Sequence, residues 1–165
     1  MCHPQTEDND VKKLALAIFC VVLAASCRPA KIEHPTLEEA GKIADAAEAS
    51  FTSGDPFRIM EHYAPNAVFF DASTNEPTSD RAVATKWTEN FVALKPVSFS
   101  PGKRIVQILG WHTFVSSGVA TMEVSGKSGP EKISIRYTDV YQLQPDKTWL
   151  IVHEHLSNLP NPAAK

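Results

Sequence analysis

Trp149-Leu150-Ile151-Val152-His153-Glu154-His155-Leu156-Ser157, near the end of the chain, reads as a β-strand. Strand geometry sends successive side chains to opposite faces. Trp149, Ile151, His153, His155 and Ser157 therefore share one side, and Leu150, Val152, Glu154 and Leu156 the other. Upstream, from Val97 onward, β-branched and aromatic residues are punctuated by Gly102, Gly110, Gly126 and Gly129-Pro130. That composition predicts an antiparallel meander with strands over Lys103 to Leu109, Thr113 to Ser125, Glu131 to Leu143 and Trp149 to Ser157.

The segment before the meander has a different period. Thr36 with Glu39 makes a capping-box pattern, and Leu37, Ala40, Ile43, Ala44, Ala47 and Phe51 recur at helical spacing until Gly54. Asp55-Pro56 reads as an N-cap with proline in the first turn of a short helix through Ile59 to Tyr63, stopped by Pro65-Asn66. Ala67 to Asp71 is a short strand, and Asp80 caps a third helix that carries Val83, Trp87, Phe91 and Leu94 on one face and closes at Lys95-Pro96. Helices first and a long meander afterwards predict an α+β fold, with the helices packed on one face of a bent sheet.

The totals agree with one such domain: 165 residues with 43% apolar content. Sixteen basic against nineteen acidic residues, with no run of either sign in the body, leave no electrostatic footprint for nucleic acid. Cys2, Cys20 and Cys27 are the three cysteines, so the body after Cys27 has none. Disulfide scaffolds, Cys-based zinc sites and thiol catalysis are thereby excluded from it.

Lys12-Lys13 precedes an uninterrupted apolar stretch from Leu14 to Ala25, too short for a membrane-spanning helix and suited to a signal-peptide core. Leu23-Ala24-Ala25-Ser26-Cys27 resembles the bacterial lipobox, in which the cysteine is acylated and becomes the mature N-terminus. Ordinary cleavage after Ala-Ala-Ser is the alternative and would leave a soluble protein with a free Cys27. The expected organisation is a leader over 1–27, a linker over 28–35, a domain over 36–160 and a tail over 161–165. Export to the periplasm or cell envelope follows, with the membrane reached only through a lipid on Cys27.

Ser53-Gly54-Asp55, His62 to Ala67, Phe70-Asp71, Tyr137 to Tyr141 and the terminal Trp-x-x-x-His-x-His-x-Ser together resemble the SnoaL-like family of the nuclear transport factor 2-like superfamily, which includes ketosteroid isomerases and polyketide cyclases. The resemblance spans about Thr36 to Leu159. It implies a cone-shaped curved antiparallel sheet with three N-terminal helices on its concave side, an apolar pocket for a small hydrophobic molecule, and a homodimer. It also implies that Leu150, Val152, Glu154 and Leu156 face the cone. Fold alone does not fix activity, because members range from isomerases and cyclases to oligomerisation modules.

By the same resemblance Asp71 matches the general base of ketosteroid isomerases and Asp139 their protonated acid that donates to the developing oxyanion. The family's oxyanion tyrosine falls on Ala47, while Tyr63 takes the place of a supporting tyrosine in the second helix, which argues against steroid isomerisation. Expected pocket residues are Tyr63, Phe70, Trp87, Phe91, Tyr137, Tyr141, Val152, Glu154 and Leu156. Any chemistry would be a cofactor-free isomerase, cyclase or lyase reaction; the alternative is a non-catalytic binding or dimerisation module. The residues themselves also admit plain structural roles: Asp71 as a turn acid, Asp139 as a partner of Arg136 or a histidine, Glu154 as a salt-bridge partner. His153 and His155 point the same way and, with His62 or His112, invite a metal reading, but the preferred role is structural and no metal is expected.

Overall fold

A computed structural model describes residues 34–126 and 129–159. The leader, Cys27, most of the linker and the tail lie outside the described residues. Among the described residues the elements run α1 (Leu37–Ser50), α2 (Pro56–Met60), β1 (Tyr63–Phe70), α3 (Arg81–Ala93), β2 (Pro96–Gly110), β3 (Thr113–Gly126), β4 (Gly129–Leu143) and β5 (Trp149–Asn158).

The helix starts form as their caps dictate. Thr36 Oγ1 accepts from Glu39 N while Glu39 Oε2 accepts from Thr36 N, and the carboxylates of Asp55 and Asp80 accept from the first-turn N–H groups of α2 and α3. Ala40, Ala44 and Ala47 are the buried stripe of α1. On α3 the inward stripe is Ala84, Trp87, Thr88 and Phe91, and the expected Val83 is 38% exposed. The helix ends on Lys95 at φ 52°, a left-handed residue just past the C-cap.

The second helix is shorter than its sequence pattern. It stops at Met60, and Tyr63 opens a strand because its backbone pairs with Ile151 of β5. Arg81 at the start of α3 fastens this junction, its guanidinium donating to the carbonyls of Met60, Tyr63 and Ala64. Pro65 is tolerated inside β1 because β1 is the edge of the sheet.

The five strands form one sheet in the order β1-β5-β4-β3-β2. The meander β2 to β5 is antiparallel, whereas β1 joins β5 in parallel, so the sheet is mixed rather than wholly antiparallel. Register shifts interrupt the pairing between Tyr63 and Val68, between Pro101 and Arg104, and between Val140 and Tyr141. Such bulges sharpen strand bending, which gives the sheet its curvature.

The Val140/Tyr141 shift also resets the facing of β5. Val140 pairs with His153 but Tyr141 pairs with Ile151, so Val152 is the extra residue. Ile151, expected outside, is consequently in the core at 1% exposure, and the inward set becomes Ile151, Glu154 and Leu156. One buried cluster joins the three helices to β1, β3, β4 and β5 around Phe114, Tyr141 and Ile151. A second gathers Ala120, Met122, Ile135 and Tyr137 on the sheet.

Candidate functional site

Between these two clusters lies a cavity of about 110 Å³, which opens past Trp87, Phe91, Met122, Ile135 and Leu156 into a wider vestibule of about 410 Å³. Its walls are apolar and aromatic: Phe51 from the C-cap of α1, Phe69 from β1, Trp87 and Phe91 from α3, Phe99 from β2. Four carboxyl groups line it, those of Glu48, Asp71, Asp139 and Glu154.

The inner acids come together through strand register. Ser116, Asp139 and Glu154 are directly opposed residues on β3, β4 and β5, and Glu154 in turn faces Phe69 of β1. Two carboxyls side by side on one face of a sheet repel when both are ionised. Burial, followed by the neighbouring charges of Glu154 and Glu48, pushes the Asp139 carboxyl well above the usual carboxylate range. Burial likewise raises Glu154 to about 7, against the opposing effect of a hydrogen bond from Tyr63. Tyr63 Oη donates to Glu154 Oε2 at 2.5 Å. Asp139 Oδ1 and the adjacent Ser116 Oγ are buried without a hydrogen-bond partner.

Glu48 belongs to a different arrangement. Its Oε1 accepts from Tyr137 Oη at 3.0 Å and from Arg104 at 3.2 Å, and Arg104 also binds Asp45 at 2.6 Å near the surface. Burial and the charge of Glu48 raise the Tyr137 hydroxyl, so it remains a donor. Gly118 makes room for this tyrosine: a Cβ there would stand 2.9 Å from Tyr137 Oη and 2.9 Å from Lys103 O.

Of the residues expected at the site, Asp71, Tyr63, Trp87, Phe91, Tyr137, Asp139, Glu154 and Leu156 line the cavity. Asp71 sits where the cavity meets the vestibule, and its Oδ1 accepts from both the backbone N and the Oγ of Ser73, the turn geometry foreseen for it. Asp139 is not partnered by Arg136, which donates to Asn158 O. Three expected wall residues lie elsewhere. Phe70 points away and stacks on His155 at 4.9 Å, because alternation in β1 sends Phe69 inward instead. Tyr141 stacks on Phe114 at 4.4 Å in the core. Val152 sits at the bulge and packs against that core. Among the described residues no three His, Cys, Asp or Glu side chains are grouped to hold a metal.

Glu48, Arg104 and Ser116 were not foreseen. Glu48 had a detectable signal, since it lies four residues after Ala44 on the apolar stripe of α1, where a charge needs an internal partner. Arg104 and Ser116 have no local signal, because only strand pairing brings them near the acids.

A curved sheet closed by helices over an apolar cavity is the nuclear transport factor 2-like architecture. The chain belongs to the SnoaL-like domain family, whose model matches residues 42–162. Among solved structures, a protein from Xanthomonas campestris described as a calcium/calmodulin dependent protein kinase II association domain is 30% identical, with 74% of this chain and 87% of that chain covered and a TM-score of 0.68. A protein from Parabacteroides distasonis described as a ketosteroid isomerase is 18% identical over 81% of this chain and 94% of that chain, with a TM-score of 0.61. The kinase II hub of S. rosetta is 18% identical over 81% and 98%, with a TM-score of 0.60. The last two show the shared fold. Comparison with curated proteins gives no match.

Proposed function

We propose that this chain binds a small apolar molecule in its cavity and moves a proton on it without a cofactor, as an isomerase or lyase acting at the cell envelope. The observation that carries the reading is the Asp139–Glu154 pair, buried side by side at the inner end of an apolar cavity. Glu154, raised to about 7, divides between base and acid forms near neutral pH, the condition for efficient proton transfer. Tyr63 orients it. Asp139, held neutral by burial, donates a hydrogen bond to the oxygen on which charge develops when a proton leaves the carbon beside a carbonyl. Glu154 then returns the proton to another carbon, or a leaving group departs.

This assigns the base role to Glu154 rather than Asp71, whose Oδ1 is engaged by Ser73. Deuterium uptake beside the carbonyl of apolar ketones and enones tests the assignment. Glu154→Gln is expected to lower the rate by about 100-fold or more, while Asp71→Asn leaves most of it. The reverse pattern returns the base role to Asp71. If no ketone or enone exchanges and none raises the melting temperature, the non-catalytic association reading takes precedence. That reading draws on the 30% identical association domain and on Ile105, Leu109 and Trp111, which are exposed along β2 and its turn.

The envelope location rests on the apolar leader ending at Cys27. Cys27→Ser is expected to move the protein from the membrane to the soluble fraction of a bacterial host. Wild-type protein found in the soluble fraction, unchanged by the substitution, would remove the lipid tether.

A further inference from the structure

The inner end of the cavity holds two carboxyls side by side. Among the described residues no Lys, Arg or His lines the cavity or its vestibule. The Arg104 guanidinium, which reaches Glu48, is shared with Asp45, and that of Arg81 is engaged by the carbonyls of Met60, Tyr63 and Ala64. Asp139 Oδ1, on a side chain 7% exposed and lining the cavity, has no hydrogen-bond partner, and Ser116 Oγ beside it on β3 has none either. Buried acceptors left open cost stability unless something fills them. A proton satisfies only part of this set, because two carboxyls stand side by side and one of them keeps an oxygen with no partner.

A primary ammonium head supplies a positive charge and three donors in the space of a methyl group. The aromatic walls formed by Phe51, Trp87 and Phe91 suit such a cation, since ring faces attract it and their apolar edges accept its hydrocarbon body. The outward continuation over Met122, Ile135 and Leu156 into the vestibule gives that body a path.

We infer that the cavity is also a binding site for hydrophobic primary amines, the ammonium head seated against Asp139 and Glu154 and the apolar body running outward between Trp87, Phe91 and Leu156. This rests on the cavity as a ligand site but not on turnover.

The inference has a pH signature opposite to that of a carbonyl ligand. The groups around Glu154 are Tyr63 on β1, Asp71 at the cavity mouth and Asp139 on β4, with Glu48 of α1, backed by Tyr137 and Arg104, and Tyr141 of β4 beyond them. None of those facing the pair is a cation. An amine selects the ionised pair and expels its proton, so binding strengthens as pH rises. A carbonyl oxygen selects the protonated acids and weakens over the same range.

Isothermal titration of the full chain with phenylbutylamine, phenylbutanol and benzylacetone, in two buffers of different ionisation enthalpy, reads both signs. Phenylbutylamine is expected to bind with proton release and to gain affinity by up to about tenfold per pH unit below about pH 7. Phenylbutanol is expected to show neither effect. Glu154→Gln and, separately, Asp139→Asn are each expected to weaken the amine by about tenfold or more and to flatten its pH slope, a loss larger than either causes for phenylbutanol. The second variant keeps the test usable should the first fail to fold. If benzylacetone or phenylbutanol binds but the amine binds no tighter at any pH, or binds with proton uptake, the inference is overturned and the proposed function stands. If none of the three binds, both fall.

Discussion

At about pH 8 the Glu154→Gln variant is expected to be more stable than the wild-type chain by about 3 kcal/mol. In the folded chain Glu154 keeps its proton up to about 7, against an ordinary value of 4.5. Between those two pH values the folded state binds more protons than the unfolded state, so stability falls as pH rises through the window. Below about pH 4 both states carry the proton and the contribution is fully present. Glutamine keeps the shape and an oxygen that can accept from Tyr63 Oη, but it never ionises, so it escapes the cost of burying a charge beside Asp139. Urea unfolding at a series of pH values checks this. The stability difference between variant and wild type should be small near pH 4 and grow toward pH 8. A difference independent of pH would show that Glu154 is not held protonated by burial. Stability gained together with proton transfer lost, in one substitution, is the signature of an acid retained for chemistry rather than folding.

The second large effect is expected at Arg104. Replacing it with Met retains much of the aliphatic packing but leaves the Glu48 carboxylate, 6% exposed, with Tyr137 as its remaining side-chain donor. Breaking one side of a buried ion pair costs about 3–5 kcal/mol, because the remaining charge is stranded. For a domain of this size a loss of that order lowers the melting temperature by about 10 °C or more. The double variant Glu48→Gln with Arg104→Met is expected to recover most of the loss, since the stranded charge is then gone. A loss under about 1 kcal/mol in the single variant would place Arg104 among ordinary surface ion pairs. The two predictions have opposite signs for a physical reason: Glu48 has its cation, and Glu154 has none.

These two acids also mark where the sequence could and could not be read. The cap residues Thr36, Asp55 and Asp80, the alanine stripe of α1 and the glycine-punctuated meander rest on contacts within a few positions along the chain. Their elements therefore formed close to the expected places, except that β2 begins at Pro96 rather than Lys103, with Gly102 inside the strand at the Pro101/Arg104 register shift, because pairing with β3 extends it. Strand alternation put Glu154 and Leu156 on one face of β5, and both line the cavity. It failed three residues before Glu154, at Ile151, because a bulge is an event between two strands: Val152 is extra only relative to β4. Tyr63 was assigned to a helix for a similar reason, since its strand conformation depends on pairing with Ile151 across the sheet.

Local periodicity and capping chemistry thus determined, from the sequence by itself, where the helices start and that a meander of strands follows them, but not where β1 and β2 begin. Tertiary structure alone decided which acids meet. Ser116, Asp139 and Glu154 are separated along the chain and become one row only through the register of β3, β4 and β5. The raised proton affinities of Asp139 and Glu154 follow from their burial in an apolar cavity that, among the described residues, no Lys, Arg or His lines, a property of the assembled cavity that none of the segments carries alone.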